Sequence, residues 1–322
     1  MKILIVGENL NNYLAKCHEA FRTGLRNTFD GRLYGVGYPG YNGSIQSYED
    51  IARYVFPEAQ PNLLIAEMKI ANGIMTFPYA GFSEYNGVKA VFLRDFWREA
   101  LENADNYKAS VENAGITYIL TYFIGALMAF KEEPLYEKMV FVPPTFDPVI
   151  FNDWQQEKIY DVGFLAADTM AYSDFYPERY AIHQKIMAEK NLTYLYAQHP
   201  GWGMHEKEHE LVGKNFSKKI NSCKIFITTG GIYRNAQPKI FEALASHTLL
   251  LMDKPLGADM LGLRDGVNYV AVTQDTVIDK IYYYLKNDDE RERISEAGYR
   301  LAMERHSCYQ RAVQFYAAVK ER

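Results

Sequence analysis

Short apolar runs alternate with longer amphipathic segments along most of this chain, and that alternation leaves it few folds to choose from. ILIVG, RLYGVGY, NLLIAEM, KAVFLRD, ITYILTYF and MVFVPP come first; YDVGFL, LTYLYAQ, KIFITTGG, TLLLMD and NYVAVT follow. Runs this continuously apolar suit strands buried on both faces, and helix-length segments between them bring each strand back parallel to the last. With 322 residues the chain is long for one core. A turn-rich stretch holding Pro143, Pro144 and Pro148 separates the two sets of runs. The expectation is an α/β protein of two Rossmann-like domains facing a cleft, 1–150 and 151–306. Residues 307–322 form a terminal helix that packs back on the first domain. After Asp288 the pattern is helical to the end, with breaks expected at Gly298 and at His306–Ser307.

Composition narrows the function classes. A formal net charge of -5 gives no basic excess for nucleic acid. Cys17, Cys223 and Cys308 match no CxxC pattern and leave one thiol over in any pairing, which fits a reducing cytoplasm. The run Ile116–Phe130 is shorter than the roughly 20 residues a bilayer span needs, so it reads as a buried strand and a short helix. An interfacial membrane contact stays open as an alternative.

The stretch TTGGIYRNAQPKIFEALASHTLLLMD joins a strand, a glycine turn and a helix start. Gly230 and Gly231 allow a tight turn, and Pro238 suits the first helical position, where its missing N–H costs nothing. Free amides and the positive end of the helix dipole favour a phosphate there; Lys239 adds a full charge, and Glu242 can accept from ribose hydroxyls. The competing reading is an ordinary parallel-sheet turn followed by a surface lysine and a helix-face carboxylate.

PKIFEALASHTLLLMD resembles the nucleotide-binding signature of GT-B glycosyltransferases. YDVGFLAAD, ELVGKNFSKKINSCKIFITTGG and the stretch from Gly266 to Arg311 extend the resemblance, which is nearest to the glycosyltransferase-like spore-maturation proteins. It implies a nucleoside-diphosphate sugar as donor substrate, no permanently bound cofactor, and a glycan or small-molecule acceptor on the first domain. By this likeness Glu242 binds the ribose, while Gly230, Gly231 and the amides about Pro238 and Lys239 bind the diphosphate. Retaining relatives often carry a second glutamate eight positions before Glu242, where this chain has Arg234. Arg234 is then either a clamp on the leaving diphosphate or an exposed loop arginine.

Other candidates sit at strand ends. Gly7, after the first strand without a GxGxxG fingerprint, either admits a sugar or makes a simple turn. Asp95 of VFLRDFW is the candidate base of an inverting transfer, with a local Arg94–Asp95 network as the alternative. His199 and Trp202 of YAQHPGWG are placed to frame a base or sugar. No D-x-D triplet occurs, so no metal-bridged diphosphate is expected. Against the transferase stand an epimerase of the same fold, a non-catalytic binder, and a zinc hydrolase built on His205, Glu206 and His209.

Overall fold

The computed structural model describes residues 1–11, 16–93, 102–166, 172–198 and 209–321. The chain divides into two compact units. Met1–Asn9, Phe21–Pro143 and Arg311–Arg322 make the first, and Leu10–Ala20 with Pro144–Gln310 the second.

In the first unit β1 (Lys2–Val6), β2 (Asp30–Tyr34), β3 (Leu63–Ala66), β6 (Lys89–Leu93), β7 (Tyr118–Thr121) and β8 (Met139–Phe141) form one parallel sheet. Its order is β2-β1-β3-β6-β7-β8. The side-chain period of a strand sorts its apolar runs cleanly onto two faces. Ile3, Ile5, Leu63, Ile65, Ala90 and Leu120 join Phe21 and Leu25 of α1 (Lys16–Thr28), together with Ala312 and Phe315 near the C-terminus. Leu4, Val6, Leu64, Ala66, Val91 and Ile119 meet α2 (Tyr48–Val55), α3 (Ala104–Asn113) and α4 (Ile124–Ala129) on the other side. A small antiparallel hairpin, β4 (Lys69–Ala71) with β5 (Ile74–Thr76), was not expected. It turns on Asn72 and Gly73, both at positive φ.

The second unit repeats the plan. β9 (Tyr160–Ala166), β10 (Tyr194–Gln198), β11 (Cys223–Thr228), β12 (Leu249–Met252) and β13 (Val270–Ala271) lie parallel in the order β10-β9-β11-β12-β13. On one face Val162, Phe164, Ile225, Ile227 and Leu251 pack with α5 (Pro177–Ala188) and α8 (Val277–Lys286). Phe226 and Leu250, facing the other way, are fully buried beside the equally buried Ile220 of α6 (Gly213–Asn221) and Phe241 of α7 (Pro238–Ala245).

Gly298 does not break the chain as expected; it lies inside α9 (Asp288–Leu301). A Cβ there would fall 2.7 Å from both the Asn268 carbonyl oxygen and Leu244 Cδ2, so the glycine serves close packing. The interruption comes at a π-helical turn, Ala302–His306, before α10 (Cys308–Lys320). No helix among the described residues is long and apolar enough to cross a membrane.

In each sheet the strand order reverses once, between β1 and β3 and between β9 and β11. Open parallel sheets bind ligands at such switch points, beyond the carboxyl ends of the strands.

Candidate functional site

Leaving β11 at its switch point, Thr229 and Gly230 are buried, and the Gly230 N–H donates to Asp253 Oδ1 just past β12 at 2.8 Å. That amide is engaged within the protein. Gly231 has φ +68°, and a Cβ on it would approach the Tyr176 ring to 2.7 Å. Only glycine fits both demands. Arg234 is exposed and also left-handed, at φ +47°. Its N–H donates to the Gly231 carbonyl at 2.9 Å, and its own carbonyl accepts from Leu256 N–H at 2.7 Å. An uncommon conformation for a non-glycine residue is thus fixed from both sides.

Gln237 then takes extended backbone as the N-cap of α7, without a side-chain capping bond, and Pro238 opens the helix. The remaining residues of the helix after Lys239 are all buried, Glu242 at 7% exposure. Phe241 stacks on His306 at 4.2 Å, and His306 Nε2 meets the Leu261 carbonyl at 2.9 Å, which holds the helix from beneath.

Two cations converge on this turn. Arg179 of α5 is 6% exposed; Nε donates to Thr229 Oγ1 at 3.2 Å and Nη2 to the Thr229 carbonyl at 3.1 Å. Its guanidinium stands 3.6 Å from the centre of the Tyr176 ring. Lys239 donates to the Leu165 carbonyl at the end of β9, 2.6 Å away. Burial, and then the Arg179 charge, push the Lys239 ammonium down to about 7, with Glu242 pulling the other way. Burial raises the Asp253 carboxyl, against the Gly230 N–H that lowers it. The repulsion between the two cations is what an arriving dianion would relieve.

The structure therefore brings Gly230, Gly231, Arg234, Pro238, Lys239 and Glu242 into one strand–turn–helix unit, and adds Arg179 and Asp253. Sequence reasoning missed both. Asp253 was readable as the carboxylate ending TLLLMD, whereas nothing local marks Arg179. His199, Trp202 and Asp95 lie outside the described residues, as do His205 and Glu206. His209 lies in non-helical backbone, where its Nδ1 accepts from Leu211 N–H at 3.1 Å. Among the described residues no group of three His, Cys, Asp or Glu side chains is placed to hold a metal.

Gly7 marks the switch point of the first unit. A Cβ on it would come within 2.4 Å of the Glu67 carboxyl carbon and 2.8 Å of the Arg22 guanidinium. Arg22, buried, pairs with Glu67 and donates to the Glu8 carbonyl at 2.6 Å and to the Tyr38 hydroxyl at 2.9 Å. The space beside Gly7 is filled by this ion pair.

Residues 178–317 match the model of a family described as glycosyl transferase-like. No curated protein matches the chain in sequence. Among solved structures the chain is similar to Anabaena HepE in complex with UDP and glucose, at TM-score 0.60 and 14% identity, with 100% of each chain covered. A glycosyltransferase from Rickettsia africae has TM-score 0.60 at 10% identity, over 99% of this chain and 98% of that one. The DNA-modifying β-glucosyltransferase, solved with and without uridine diphosphoglucose, has TM-score 0.58 at 13% identity and 99% coverage of both. At these identities the likeness establishes a shared fold, which is GT-B.

Proposed function

We propose that this chain is a glycosyltransferase that takes its sugar from a nucleoside-diphosphate donor held on the second unit. The observation that carries the reading is the pair Arg179 and Lys239 set at the β9/β11 switch point beside the start of α7 and the buried Glu242. The family match spans all of these residues, and the neighbours solved with UDP or UDP-glucose favour uridine in the donor.

In the reaction an acceptor hydroxyl oxygen bonds to the anomeric carbon, the bond from that carbon to the diphosphate oxygen breaks, and a base takes the hydroxyl proton. Charge builds on the departing diphosphate. Arg179, Lys239 and the helix dipole of α7 meet that charge, with Arg234 within the same turn, so the step runs without a metal. The first unit binds the acceptor in this scheme, Asp95 serves as base, and the finer kinship is with the spore-maturation group.

A thermal-shift series with UDP, GDP, ADP, dTDP and CMP tests the binding step. A nucleoside diphosphate at a hundred times its Kd stabilises the folded chain by about 2.7 kcal/mol. Glu242→Ala and Arg179→Met should abolish the shift. No shift with any nucleotide would sink the proposal. Turnover of the matching sugar nucleotide then separates the outcomes: diphosphate release that requires an acceptor marks a transferase, an isomeric sugar nucleotide an epimerase, and binding without either a non-catalytic protein.

A further inference from the structure

β2 is an edge strand of the first sheet, and its last residue, Tyr34, is the hub of a tyrosine cluster. The buried Tyr34 ring meets Tyr41 at 5.5 Å, Tyr54 at 6.1 Å and Tyr79 at 6.0 Å between ring centres. Tyr41 and Tyr54 are 37% and 50% exposed, so much of each ring faces solvent. Both are nonetheless held in place. The Tyr54 hydroxyl donates to the Gly40 carbonyl at 3.2 Å, and Tyr79 is hydrogen-bonded to Tyr41. The Tyr34 hydroxyl donates to the Asn42 carbonyl at 2.6 Å, which ties down the loop that carries Tyr41. Aromatic surface that is exposed yet fixed has given up its rotamer freedom before any ligand arrives, so little of that cost is left to binding.

The chemistry of the patch selects the ligand. From Leu33 through Tyr48 the sequence holds no Asp, Glu, Lys or Arg, although 23% of the whole chain is charged. Nothing in this stretch would pair with a phosphate, a carboxylate or an ammonium group. The charged residues beside Tyr54 in α2, Glu49, Asp50 and Arg53, pair with one another. What the loop offers is aromatic faces, exposed backbone at Gly40 and Gly43, and the exposed amide and hydroxyl side chains of Asn42, Ser44 and Gln46. A sugar ring matches that combination: it lays an apolar C–H face on an aromatic ring and turns its hydroxyls to the polar groups around it. We propose that Tyr41 and Tyr54 form a platform for a neutral saccharide unit. It lies one strand outside the β1/β3 switch point and holds a flanking sugar of the acceptor glycan rather than the sugar that reacts. That the bound glycan is an acceptor rests on the transferase reading above; the platform itself does not.

The full chain applied to a glycan array tests the ligand class, the array bearing neutral oligosaccharides of glucose, galactose, mannose and N-acetylglucosamine beside uronic-acid and phosphorylated glycans. At least one neutral series should bind, more strongly as the oligosaccharide lengthens, and charged members should gain nothing. Calorimetry with the best-bound oligosaccharide should then show affinity about tenfold weaker for Tyr41→Ala and for Tyr54→Ala, the scale of one stacking contact, and within about threefold of the parent for Tyr41→Phe and Tyr54→Phe. In the parent chain, hydrogen exchange over residues 35–47 should slow when that oligosaccharide is added, a readout that needs no variant. UDP should raise the melting temperature of every variant as it does the parent's. Binding to no neutral glycan, a preference for the anionic ones, or Ala variants that bind as well as the parent would overturn the proposal, and an intact UDP shift would leave the donor reading standing. Absence of the UDP shift in the parent chain would instead remove the donor reading, and glycan binding at the two tyrosines would still decide the platform.

Discussion

Lys239 and Arg179 are like charges held at one turn, and pH reads out their relation. The Lys239 ammonium titrates near 7 in the ligand-free chain, against an ordinary 10.5, chiefly through burial and then through Arg179. A diphosphate beside it favours the charged form, so donor binding takes up a proton whenever the pH is above 7. UDP-glucose is the right probe, because its diphosphate has no ionisation of its own near neutrality. Its affinity should be full below pH 7 and about tenfold weaker at pH 8 than at pH 6, the ratio a single linked proton gives. Lys239→Arg, charged throughout, should flatten the profile; an unchanged slope in that variant would show that another group titrates. The stability of the ligand-free chain should run the opposite way. From pH 7 to 10.5 the unfolded chain holds the Lys239 proton that the folded chain has shed, so stability rises with pH across that window. Arg179→Met keeps the apolar stem over Tyr176 and removes the charge. It should lower kcat/KM by at least the roughly 10²–10³ usual for one diphosphate-stabilising donor, since binding of the sugar donor is weakened as well.

At the scale of elements, α9 supplies a test in which two effects compete. Gly298→Ala gains about 1 kcal/mol of helix propensity. The added methyl would, however, meet the Asn268 carbonyl at 2.7 Å. That carbonyl cannot retreat cheaply, because Asn268 is fixed by its N–H to the Arg264 carbonyl at 3.1 Å and its Nδ2 to the Gly262 carbonyl at 2.9 Å. Overpacking typically costs about 1–3 kcal/mol, so urea melts should show a net loss of up to about 2 kcal/mol; a gain would mean that the Asn268 loop yields. The same residue shows what the sequence can and cannot convey. A glycine in a helical pattern announces a special backbone position, but whether it breaks the helix or admits a neighbour depends on residues remote in sequence. Buried parallel strands were legible because burial on both faces writes itself into every residue of the run. The β4/β5 hairpin escaped notice although Asn72-Gly73 is a strong two-residue turn signal, since its strands are only three residues each. Gly230 through Glu242 could be read as a unit because one strand–turn–helix holds them. Arg179, fifty positions before Thr229, reaches the turn only through the fold.

For the whole molecule, the two units can be addressed separately although neither is one continuous stretch of chain. Residues 311–322 belong to the first unit, where Phe315, 2% exposed, meets Phe21 edge-on at 5.5 Å and Tyr118 donates to the Val319 carbonyl at 3.2 Å. Phe315→Ala empties a site in the layer formed by Ile3, Ile5, Leu63 and Ile65, and should cost about 3–5 kcal/mol. The donor groups, by contrast, all lie in the second unit. Hydrogen exchange followed by peptide mapping keeps the two effects apart. The variant should exchange faster in β1, β3 and β6, while UDP should still slow exchange in the segment from Thr229 to Glu242 to the same degree as in the parent chain. If Phe315→Ala speeds exchange equally in β11 and α7, the units unfold as one, and the terminal helix then stabilises the nucleotide site as well as the sheet it covers.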